Sequence, residues 1–436
     1  FWGSIKKCVR NTFTMYPENI KRGTGSIEDA LMTIATDTEI KRDLNGLKIC
    51  RIATVPYFMV SQLKSQAEYL RDLGVQVVLV SSSGPEWSQL RTGDGLSAEI
   101  IPIPRSLSPW KDLVALVRLT QFFIKRRFDI VHSTTPKAGL LTAIAAFLAR
   151  VPVRLHTFTG QPWVALKGPM RWGSRTADKL IGFLDTRCYA DSGSQAKFLV
   201  DEGIISADKL AVIGKGSLAG VNTKRFDPDR WSPLQKQKIR DEIGLASSAR
   251  VLIFIGRISQ DKGIVELIAA FSELLRLQYD VDLLLVGPHD QDCGGAGFLD
   301  LSVAKQCQRI HYTGYTECPE RYLAVADIFC LPSYREGFGT VVIEAAAMGL
   351  PTVGTAIYGL TDAVVDGETG ILVPPRDQQA LQKALQRLLD NPDILKSMGK
   401  AARSRCLQYF DSRVVNEGVA EEYVCILNMK KGAACS

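Results

Sequence analysis

Two glutamates stand in one glycine-containing segment of the chain, with seven residues between them. An apolar run that ends in Cys330-Leu331-Pro332-Ser333 precedes the segment Glu336-Gly337-Phe338-Gly339-Thr340-Val341-Val342-Ile343-Glu344. This order predicts a short buried strand, a loop and the first turns of a helix. The unpaired N–H groups and the dipole at such a helix start favour an anion, and carboxylates accept hydrogen bonds from hydroxyls. The segment therefore predicts a ligand that carries both phosphates and hydroxyls, as a nucleotide-sugar does.

Each part of this segment can contact a different part of such a ligand. Glu344 can accept hydrogen bonds from two ribose hydroxyls, and Glu336 can contact the sugar. The backbone N–H groups of five residues can bind phosphate or sugar oxygens: Gly337, Phe338, Gly339, Thr340 and Val341. The alternative is that Glu336 caps the helix and Glu344 lies on the surface. Valine, isoleucine and alanine surround Glu344 in the sequence, however, and a charge in so apolar a helix needs a polar partner.

Two cations follow an earlier apolar run that begins at Arg250. Arg257 and Lys262 stand in the sequence G-R-I-S-Q-D-K-G, just beyond the carboxyl end of a predicted strand. Arginine can bind two oxygens at once and lysine acts as a point charge, so the two together suit a diphosphate. A solvated turn is the alternative interpretation, and the glutamate segment downstream favours the ligand.

Apolar strand patterns alternate with amphipathic helix patterns in two consecutive halves of the chain, one from Lys48 and one from Arg250. The strands are nearly continuous apolar runs, as parallel sheets require. We therefore predict an α/β protein of two Rossmann-like domains with parallel sheets that face each other across a central cleft. Ligands of such sheets bind at the carboxyl ends of the strands.

The second half carries motifs of a known family. E-G-F-G-x4-E, G-R-x4-K-G, G-L-P-x-V-G-T and the run V-D-G-E-T-G-I-L-V at 365–373 resemble the retaining glycosyltransferases of family 4, which have the GT-B fold. The resemblance runs from about Leu47 to about Tyr423. It implies that Arg257 and Lys262 hold the donor diphosphate, Glu344 the ribose and Glu336 the donor sugar.

The resemblance also assigns the domains. It implies an N-terminal Rossmann-like domain on the acceptor side over 47–221 and a C-terminal Rossmann-like domain for the nucleotide-sugar donor over 222–411. A helix over 412–436 would cross back to the N-terminal domain. Residues 1–46 form a lead-in of unknown role.

In the first half, R-L-H-T-F-T-G at 154–160 matches the family position where a histidine near the donor sugar aids the reaction. His156 is therefore a candidate catalytic residue beside Glu336. His132 ends the preceding predicted strand and should also face the cleft, where Lys137 and Thr157 are further candidates for contact with the acceptor. For both histidines the alternative is a buried ring bonded to backbone.

The pair H-S-T-T-P-K-A-G and H-T-F-T-G-Q-P-W resembles a bacterial branch of the family, which builds capsule, O-antigen and exopolysaccharide units on a polyprenyl diphosphate carrier. We predict transfer of a hexosyl or N-acetylhexosaminyl group, with retention, from a nucleotide-sugar to a lipid-linked sugar or glycan. UDP is the expected nucleotide. A sugar-nucleotide hydrolase or epimerase on the same fold and a non-catalytic binding subunit stay open as alternatives.

No general base is evident near Glu336 and His156, which is consistent with a front-face substitution in which the leaving diphosphate helps to deprotonate the acceptor. Asp280-Val281-Asp282 imitates a metal-binding D-x-D, but it stands at the amino end of a predicted strand. We therefore expect no metal and no other cofactor, with Arg257 and Lys262 in place of a cation.

Composition limits the partners. The chain has 436 residues, 46% of them apolar, and a formal net charge of +7. No dense basic stripe with interleaved aromatics is present, so nucleic acid is not an expected partner. No apolar run reaches 18 residues, and no signal peptide is recognisable. These features predict a cytoplasmic protein, peripheral on the inner face of the cell membrane.

Two stretches of the first half mix basic and aromatic residues, which suits contact with an anionic membrane. A solvated helix face is the alternative. The residues are Arg118, Phe122, Phe123, Ile124, Lys125, Arg126 and Arg127 in the first stretch, and Trp163, Lys167, Met170, Arg171, Trp172, Arg175 and Lys179 in the second.

Overall fold

The computed structural model describes residues 39–91, 96–289 and 307–434. Most of the lead-in predicted over 1–46 lies outside these ranges. The chain divides into two compact units. Unit 1 contains the described residues up to Ala190, Leu199–Ile213 and the chain from Asn416 onward, and unit 2 contains Asp191–Phe198 and Gly214–Val415.

Seven parallel strands form the sheet of unit 1, in the order β3-β2-β1-β4-β5-β6-β7. Their bounds are Lys48–Ile52 (β1), Gln76–Ser81 (β2), Ser97–Ile100 (β3), Ile130–Thr134 (β4), Val153–Phe158 (β5), Arg187–Ala190 (β6) and Leu210–Val212 (β7).

The helices along this part of the chain are Pro56–Phe58 (α1), Lys64–Asp72 (α2), Trp87–Arg91 (α3), Pro109–Arg126 (α4), Pro136–Leu148 (α5), Gly168–Leu184 (α6) and Gly193–Asp201 (α7). The sequence pattern predicts one helix over Val60–Leu73, and this prediction is wrong in its first turns. A π-helical segment, Met59–Leu63, occupies them and α2 follows it. Helices α4, α5 and α6 pack in series, α4 on α5 and α5 on α6.

Six parallel strands form the sheet of unit 2, in the order β10-β9-β8-β11-β12-β13. Their bounds are Arg250–Ile255 (β8), Val281–Val286 (β9), Ile310–Gly314 (β10), Ile328–Leu331 (β11), Thr352–Thr355 (β12) and Gly370–Val373 (β13). The remaining helices are Pro233–Ile243 (α8), Ile264–Arg276 (α9), Pro319–Leu323 (α10), Thr340–Ala347 (α11), Leu360–Ala363 (α12), Gln378–Asp390 (α13), Pro392–Tyr409 (α14) and Ser412–Ala434 (α15).

The central strands of both sheets are buried on both faces, because helices cover each side of a parallel sheet. All residues of β4, β9 and β11 are buried. The strand order of unit 2 repeats that of unit 1, and both follow the doubly wound pattern. The prediction of Rossmann-like parallel sheets in two α/β units is confirmed.

The reversal of strand order marks one position in each sheet. It lies between β1 and β4 in unit 1 and between β8 and β11 in unit 2. At such a switch point, the loops that follow the two strands diverge and leave room for a ligand at their carboxyl ends. In unit 2 those loops begin at Gly256 and Pro332; they carry the predicted cations and Glu336, and Glu344 follows on α11.

The last helix, α15, reaches unit 1 with its part from Asn416 onward. Asp411 precedes it, and its carboxylate accepts a hydrogen bond from the backbone N–H of Arg413 at 2.9 Å. Within unit 1, the hydroxyl of Tyr423 accepts a hydrogen bond from the buried guanidinium of Arg51 in β1, at 2.7 Å. The first strand and the last helix of the chain therefore meet in the same core.

Candidate functional site

The loops after β8 and β11 approach each other closely in unit 2. Gly263 ends the first loop with φ +69°, and a Cβ at this position would overlap the carbonyl oxygen of Pro332 in the second loop. Glycine meets both requirements, since it adopts positive φ without strain and has no side chain. This contact brings Lys262 next to the residues that follow β11.

Lys262, Ser333 and Glu336 form a hydrogen-bonded cluster at this point. The ammonium group of Lys262 lies 2.6 Å from Oε1 of Glu336, and the hydroxyl of Ser333 donates to the same oxygen at 2.7 Å. The Lys262 and Glu336 side chains are 18% and 13% exposed, so the pair is largely but not wholly withdrawn from water. The structure thus brings together two of the predicted site residues, as partners of each other.

A second acidic group lies in the same loop. The hydroxyl of Ser259 donates to Oδ1 of Asp261 at 2.5 Å. Burial acts to raise the pKa of Asp261, but this hydrogen bond and the charges of Lys262, Arg257 and Arg335 outweigh it and hold the pKa below its usual range. Arg257 itself is exposed. The loop therefore carries more positive than negative charge at its surface.

The first turn of α11 begins directly after the Glu336 loop. Gly339 is its N-cap residue, with φ +80°. The N–H groups of Thr340 and Val341 belong to the first turn, where an α-helix offers them no carbonyl partner. The ring of Phe338 is buried against that of Phe410, with centroids 5.2 Å apart, so only the backbone of Phe338 is available to a ligand.

Glu344 lies on the second turn of α11, among buried apolar residues. Its carboxylate makes no hydrogen bond with any residue in the described part of the chain. Burial raises its pKa to about 7; the charge of Arg225 acts against this shift and that of Glu320 adds to it. The guanidinium of Arg225 is bound to Glu320 at 2.8 Å. A carboxylate in such apolar surroundings, without a hydrogen-bond partner among the described residues, is suited to a ligand that supplies hydrogen-bond donors.

His132 lies inside unit 1. Its ring nitrogens contact the hydroxyls of Tyr423, at 2.7 Å, and Thr157, at 2.8 Å. Burial, with the charge of nearby Arg51, lowers its pKa well below the usual value. Both ring nitrogens are occupied by these hydroxyls inside unit 1, and contact of His132 and Thr157 with an acceptor stays a prediction.

His156 is buried on the other face of the same sheet. Its Nδ1 lies 2.8 Å from the hydroxyl of Ser133, its ring packs edge-on against Phe158, and α5 covers it at Gly139, where a Cβ would lie 2.7 Å from Nδ1. Burial lowers its pKa to about 3. The catalytic role that the family resemblance implies for this imidazole stays a prediction.

Lys137, at the start of α5, is also held internally. Its ammonium group donates to the carbonyl of Ser106 and to Asp112, both at 2.7 Å. The structure therefore brings together the predicted residues of unit 2 at one sheet edge, whereas the four candidates of unit 1 make the contacts described above within that unit.

Two residues of the site were missed in the sequence. Ser333 binds Glu336, and its position three residues before the glutamate is a signal that could have identified it. Arg225 lies near Glu344 but comes from a connecting segment far away in the chain, so no local pattern points to it.

Asp282 has the structural role that the sequence predicts for it. It accepts hydrogen bonds from Arg309 at 2.5 Å and from the backbone of Ala246 at 2.8 Å. Across residues 39–91, 96–289 and 307–434, no three His, Cys, Asp or Glu side chains are grouped as metal ligands. In the same ranges, no helix has the length and apolar character needed to cross a membrane.

Comparisons with known proteins agree with this geometry. Residues 59–216 match the model of the glycosyl transferase 4-like domain, and residues 235–405 match that of glycosyl transferases group 1. The capsular polysaccharide biosynthesis glycosyltransferase CapM of Staphylococcus aureus is 30% identical over 390 residues, which are 89% of this chain and 100% of that protein. The putative glycosyltransferase EpsD of Bacillus subtilis is 26% identical, over 76% of this chain and 85% of its own.

Solved structures share the fold. A glycosyltransferase from Rickettsia africae superposes with a TM-score of 0.73 at 22% identity, covering 88% of this chain and 99% of its own. HepE from Anabaena, in complex with UDP and glucose, superposes with a TM-score of 0.71 at 20% identity, covering 86% of this chain and 99% of its own.

Proposed function

This chain belongs to the group 1 glycosyltransferases that carry a family 4-like domain, and from that membership we propose that it transfers a hexosyl or N-acetylhexosaminyl group from a UDP-sugar to a polyprenyl-diphosphate-linked sugar or glycan, with retention, in capsular polysaccharide synthesis. One observation carries the donor assignment. The Lys262–Glu336–Ser333 cluster lies beside the first turn of α11, at the switch point of the unit 2 sheet. Cationic, anionic and N–H groups thus converge where doubly wound sheets bind ligands.

The donor diphosphate binds to Lys262, Arg257 and the N–H groups that begin α11. All three features attract the negative charge of the diphosphate, because a helix start, like the two cations, carries positive charge. These cations can neutralise the diphosphate without a metal ion, so we propose that transfer persists in EDTA. HepE, which shares the fold, has been crystallised with UDP and with UDP-glucose, which supports UDP as the nucleotide.

The ribose binds to Glu344. Its carboxylate is largely withdrawn from water and has no hydrogen-bond partner among the residues the structure describes, and two ribose hydroxyls would supply the missing donors. Hydrogen bonds to a charged group contribute about 1.5–3 kcal/mol each. The unsatisfied charge of the free protein therefore becomes a source of affinity when the donor binds.

Glu336 contacts the donor sugar and stabilises charge near its anomeric carbon. In the proposed reaction, the bond from this carbon to the diphosphate breaks and the bond to the acceptor oxygen forms on the same face. The acceptor proton passes to the departing diphosphate. Because the substrate supplies this base, the protein needs only to orient the two reactants and stabilise charge, and buried His156 need not touch them.

The acceptor side is a lipid surface, and helices α4 and α6 are suited to it. Trp110 is 75% exposed and Trp172 is 72% exposed. Further exposed apolar residues on these two helices are Leu113, Val117, Ile124, Met170 and Phe183. Exposed basic residues lie between them or directly before α6: Lys111, Arg118, Lys125, Lys167, Arg171 and Lys179. Apolar anchors combined with positive charge fit an anionic bilayer.

The structure buries two of the aromatic residues that the sequence suggests for membrane contact. Phe123 and Trp163 are buried, and the indole N–H of Trp163 donates to Asp178 at 2.8 Å. Arg126 is paired with Glu99 at 2.9 Å. The most exposed aromatic residues of these two helices are thus Trp110, Trp172 and Phe183.

Calorimetric titration with UDP, GDP and UDP-glucose tests the donor site. We expect UDP to bind the wild type, and Lys262→Met and Glu344→Gln to weaken binding at least about tenfold. Lys400→Met, which removes an exposed lysine of the same unit, is the matched control and should bind like the wild type. Equal affinity for UDP in all four proteins would refute the assignment.

A transfer assay tests the reaction itself. The protein is incubated with a UDP-sugar and an undecaprenyl-diphosphate-linked sugar in anionic vesicles, and the anomeric configuration of the product is read by NMR. We expect the donor configuration to be kept and little free sugar to appear. Inversion would contradict the proposed mechanism, and release of free sugar independent of acceptor would indicate a hydrolase.

A further inference from the structure

A serine outside the motifs contacts the loop that carries Glu336. Ser194 is the second residue of α7, and the segment Asp191–Phe198 belongs to unit 2. Its hydroxyl accepts a hydrogen bond from the backbone N–H of Gly359 at 2.8 Å and donates one to the carboxylate of Asp362. The backbone N–H of Ser194 donates to the same carboxylate at 3.1 Å. Ser194 therefore binds both ends of the turn that begins α12.

Gly359 in turn packs directly against the peptides of Glu336 and Gly337. It has φ +86°, and a Cβ on it would lie 2.6 Å from the carbonyl oxygen of Gly337 and 2.9 Å from that of Glu336. Contacts this short leave no room for another residue or for movement of either backbone towards the other. The position of Gly359 thus limits the position of the Glu336–Gly337 peptide.

The segment Asp191–Phe198 also reaches the Glu336 loop indirectly, through Gly216 and Ser217. The carbonyl of Asp191 accepts a hydrogen bond from the N–H of Ser217 at 2.7 Å. Beside it, Gly216 lies so close to Phe338 that a Cβ would be 3.0 Å from its ring. The ring of Phe198 stacks on that of Tyr358, with centroids 5.0 Å apart. The segment is thus packed along the residues that flank both Gly359 and the Glu336 loop.

We propose that Ser194 is a positioning residue for the donor site: through its hydrogen bonds to Gly359 and Asp362 it holds Gly359 against the Glu336–Gly337 peptides, and so fixes the Glu336 carboxylate and the N–H groups that follow it. The inference rests on the proposed role of this loop in donor binding. Ser194 acts through Gly359 and does not itself touch the substrate.

Three variants separate this role from a general effect on α7. Ser194→Ala removes the hydroxyl that holds Gly359, whereas Ser194→Thr keeps a hydroxyl. Ser192→Ala is the matched control. Ser192 is buried in the same turn; its hydroxyl accepts the N–H of Gln195 at 3.1 Å and lies 3.4 Å from the Ser194 hydroxyl, but among the described residues it makes no hydrogen bond to Gly359 or Asp362. Loss of the Ser192 hydroxyl removes the cap at the start of α7, so this control reports a general weakening of the helix.

The first measurement is hydrogen–deuterium exchange of the peptide over 333–341, made without any ligand. We expect faster exchange in Ser194→Ala than in the wild type, and wild-type exchange in Ser194→Thr and Ser192→Ala. Unchanged exchange in Ser194→Ala, or an equal change in Ser192→Ala, overturns the proposal. Since no donor is present, this result is independent of whether the donor assignment is correct.

The second measurement is steady-state transfer with UDP-glucose as the donor probe. Loss of the hydrogen bonds that the Ser194 hydroxyl makes with the Gly359 N–H and the Asp362 carboxylate is expected to lower kcat/KM at least about tenfold in Ser194→Ala, with the Thr variant within about threefold of the wild type. Misplacement of Glu336 should appear in kcat as well as in KM. An unchanged kcat/KM alongside faster exchange would show that the contact does not position catalytic groups, which overturns the inference.

Discussion

Replacing Glu344 with glutamine should stabilise the protein above pH 7 while it weakens donor binding. Burial raises the pKa of Glu344 from 4.5 to about 7 in the folded protein. In the unfolded chain the group ionises near its usual value, so between these pH values the folded state holds a proton that the unfolded state has lost. Stability from this group is therefore present below about pH 4.5 and is lost as pH rises to about 7.

The size of the effect follows from the shift. About 2.5 pKa units at 1.36 kcal/mol each give at most about 3 kcal/mol of destabilisation in the wild type above pH 7. Glutamine has no charge to bury, so the variant avoids this cost. For a unit of about 200 residues, the gain corresponds to a rise in Tm of up to about 10 °C.

Scanning calorimetry at pH 5 and pH 8 measures the change. The Tm of Glu344→Gln should exceed that of the wild type at pH 8 by several times the difference seen at pH 5. Asp191 of the same unit also has a pKa raised by burial, to about 8, and the comparison of variant with wild type removes its contribution. Glu368→Gln, at an exposed position, should change Tm little at either pH. If the variant is no more stable at pH 8, or gains equally at both pH values, the reasoning is wrong.

Three further predictions concern the loops and the lipid surface. Gly263→Ala should lower the free energy of unfolding, measured in urea, by about 2–4 kcal/mol, because a Cβ at this positive-φ position overlaps the Pro332 carbonyl. Gly244→Ala, at φ +84° in open space, should lower it by only about 1 kcal/mol. Trp110→Ser with Trp172→Ser should lower co-sedimentation with anionic vesicles but leave UDP affinity unchanged, and equal sedimentation would refute the surface. Adding 0.5 M salt should weaken the same vesicle binding, because it shortens the Debye length to about 4 Å and so screens the attraction between the basic residues and the lipids.

The central strands and the edge strand Leu210–Val212 could be predicted from the sequence, but two other edge strands could not. Ile328–Leu331 is a continuous apolar run, and only Asp282 interrupts that of Val281–Val286, because both faces of the sheet are covered. The edge strands Ser97–Ile100 and Ile310–Gly314 are partly exposed and carry polar residues, so their patterns resemble those of loops. The burial that makes a strand recognisable is missing at an edge.

The two histidines show what an apolar pattern does not contain. In a strand buried on both faces, apolar and polar residues need not alternate, so the sequence does not say which face a given residue occupies. His132 pairs in register with Leu155, and Ser133 with His156, which puts the two imidazoles on opposite faces. Their partners, Tyr423 and Gly139, come from helices that the strand patterns do not identify.

The proximity of Lys262 to the Glu336 loop was predictable because the residues of each segment are close in sequence and their chemistry is distinctive. Glu336 and Glu344 stand on one loop and one helix, and Lys262 follows a strand that the apolar pattern reveals. The sequence also indicates that a charge among valines and alanines needs a partner. It does not indicate that Arg225 lies near this charge, because that proximity depends on the folding of a distant connecting segment.

The bond between Arg51 and Tyr423 has a consequence for synthesis of the chain. The two residues are 372 positions apart, and the last helix completes the core that the first strand begins. During translation unit 2 has all of its strands available before residues from Asn416 onward leave the ribosome, whereas unit 1 must wait for them with part of its sheet uncovered. Fragments that end before α15, and chimaeras that exchange only the first half, should therefore expose this sheet face and aggregate.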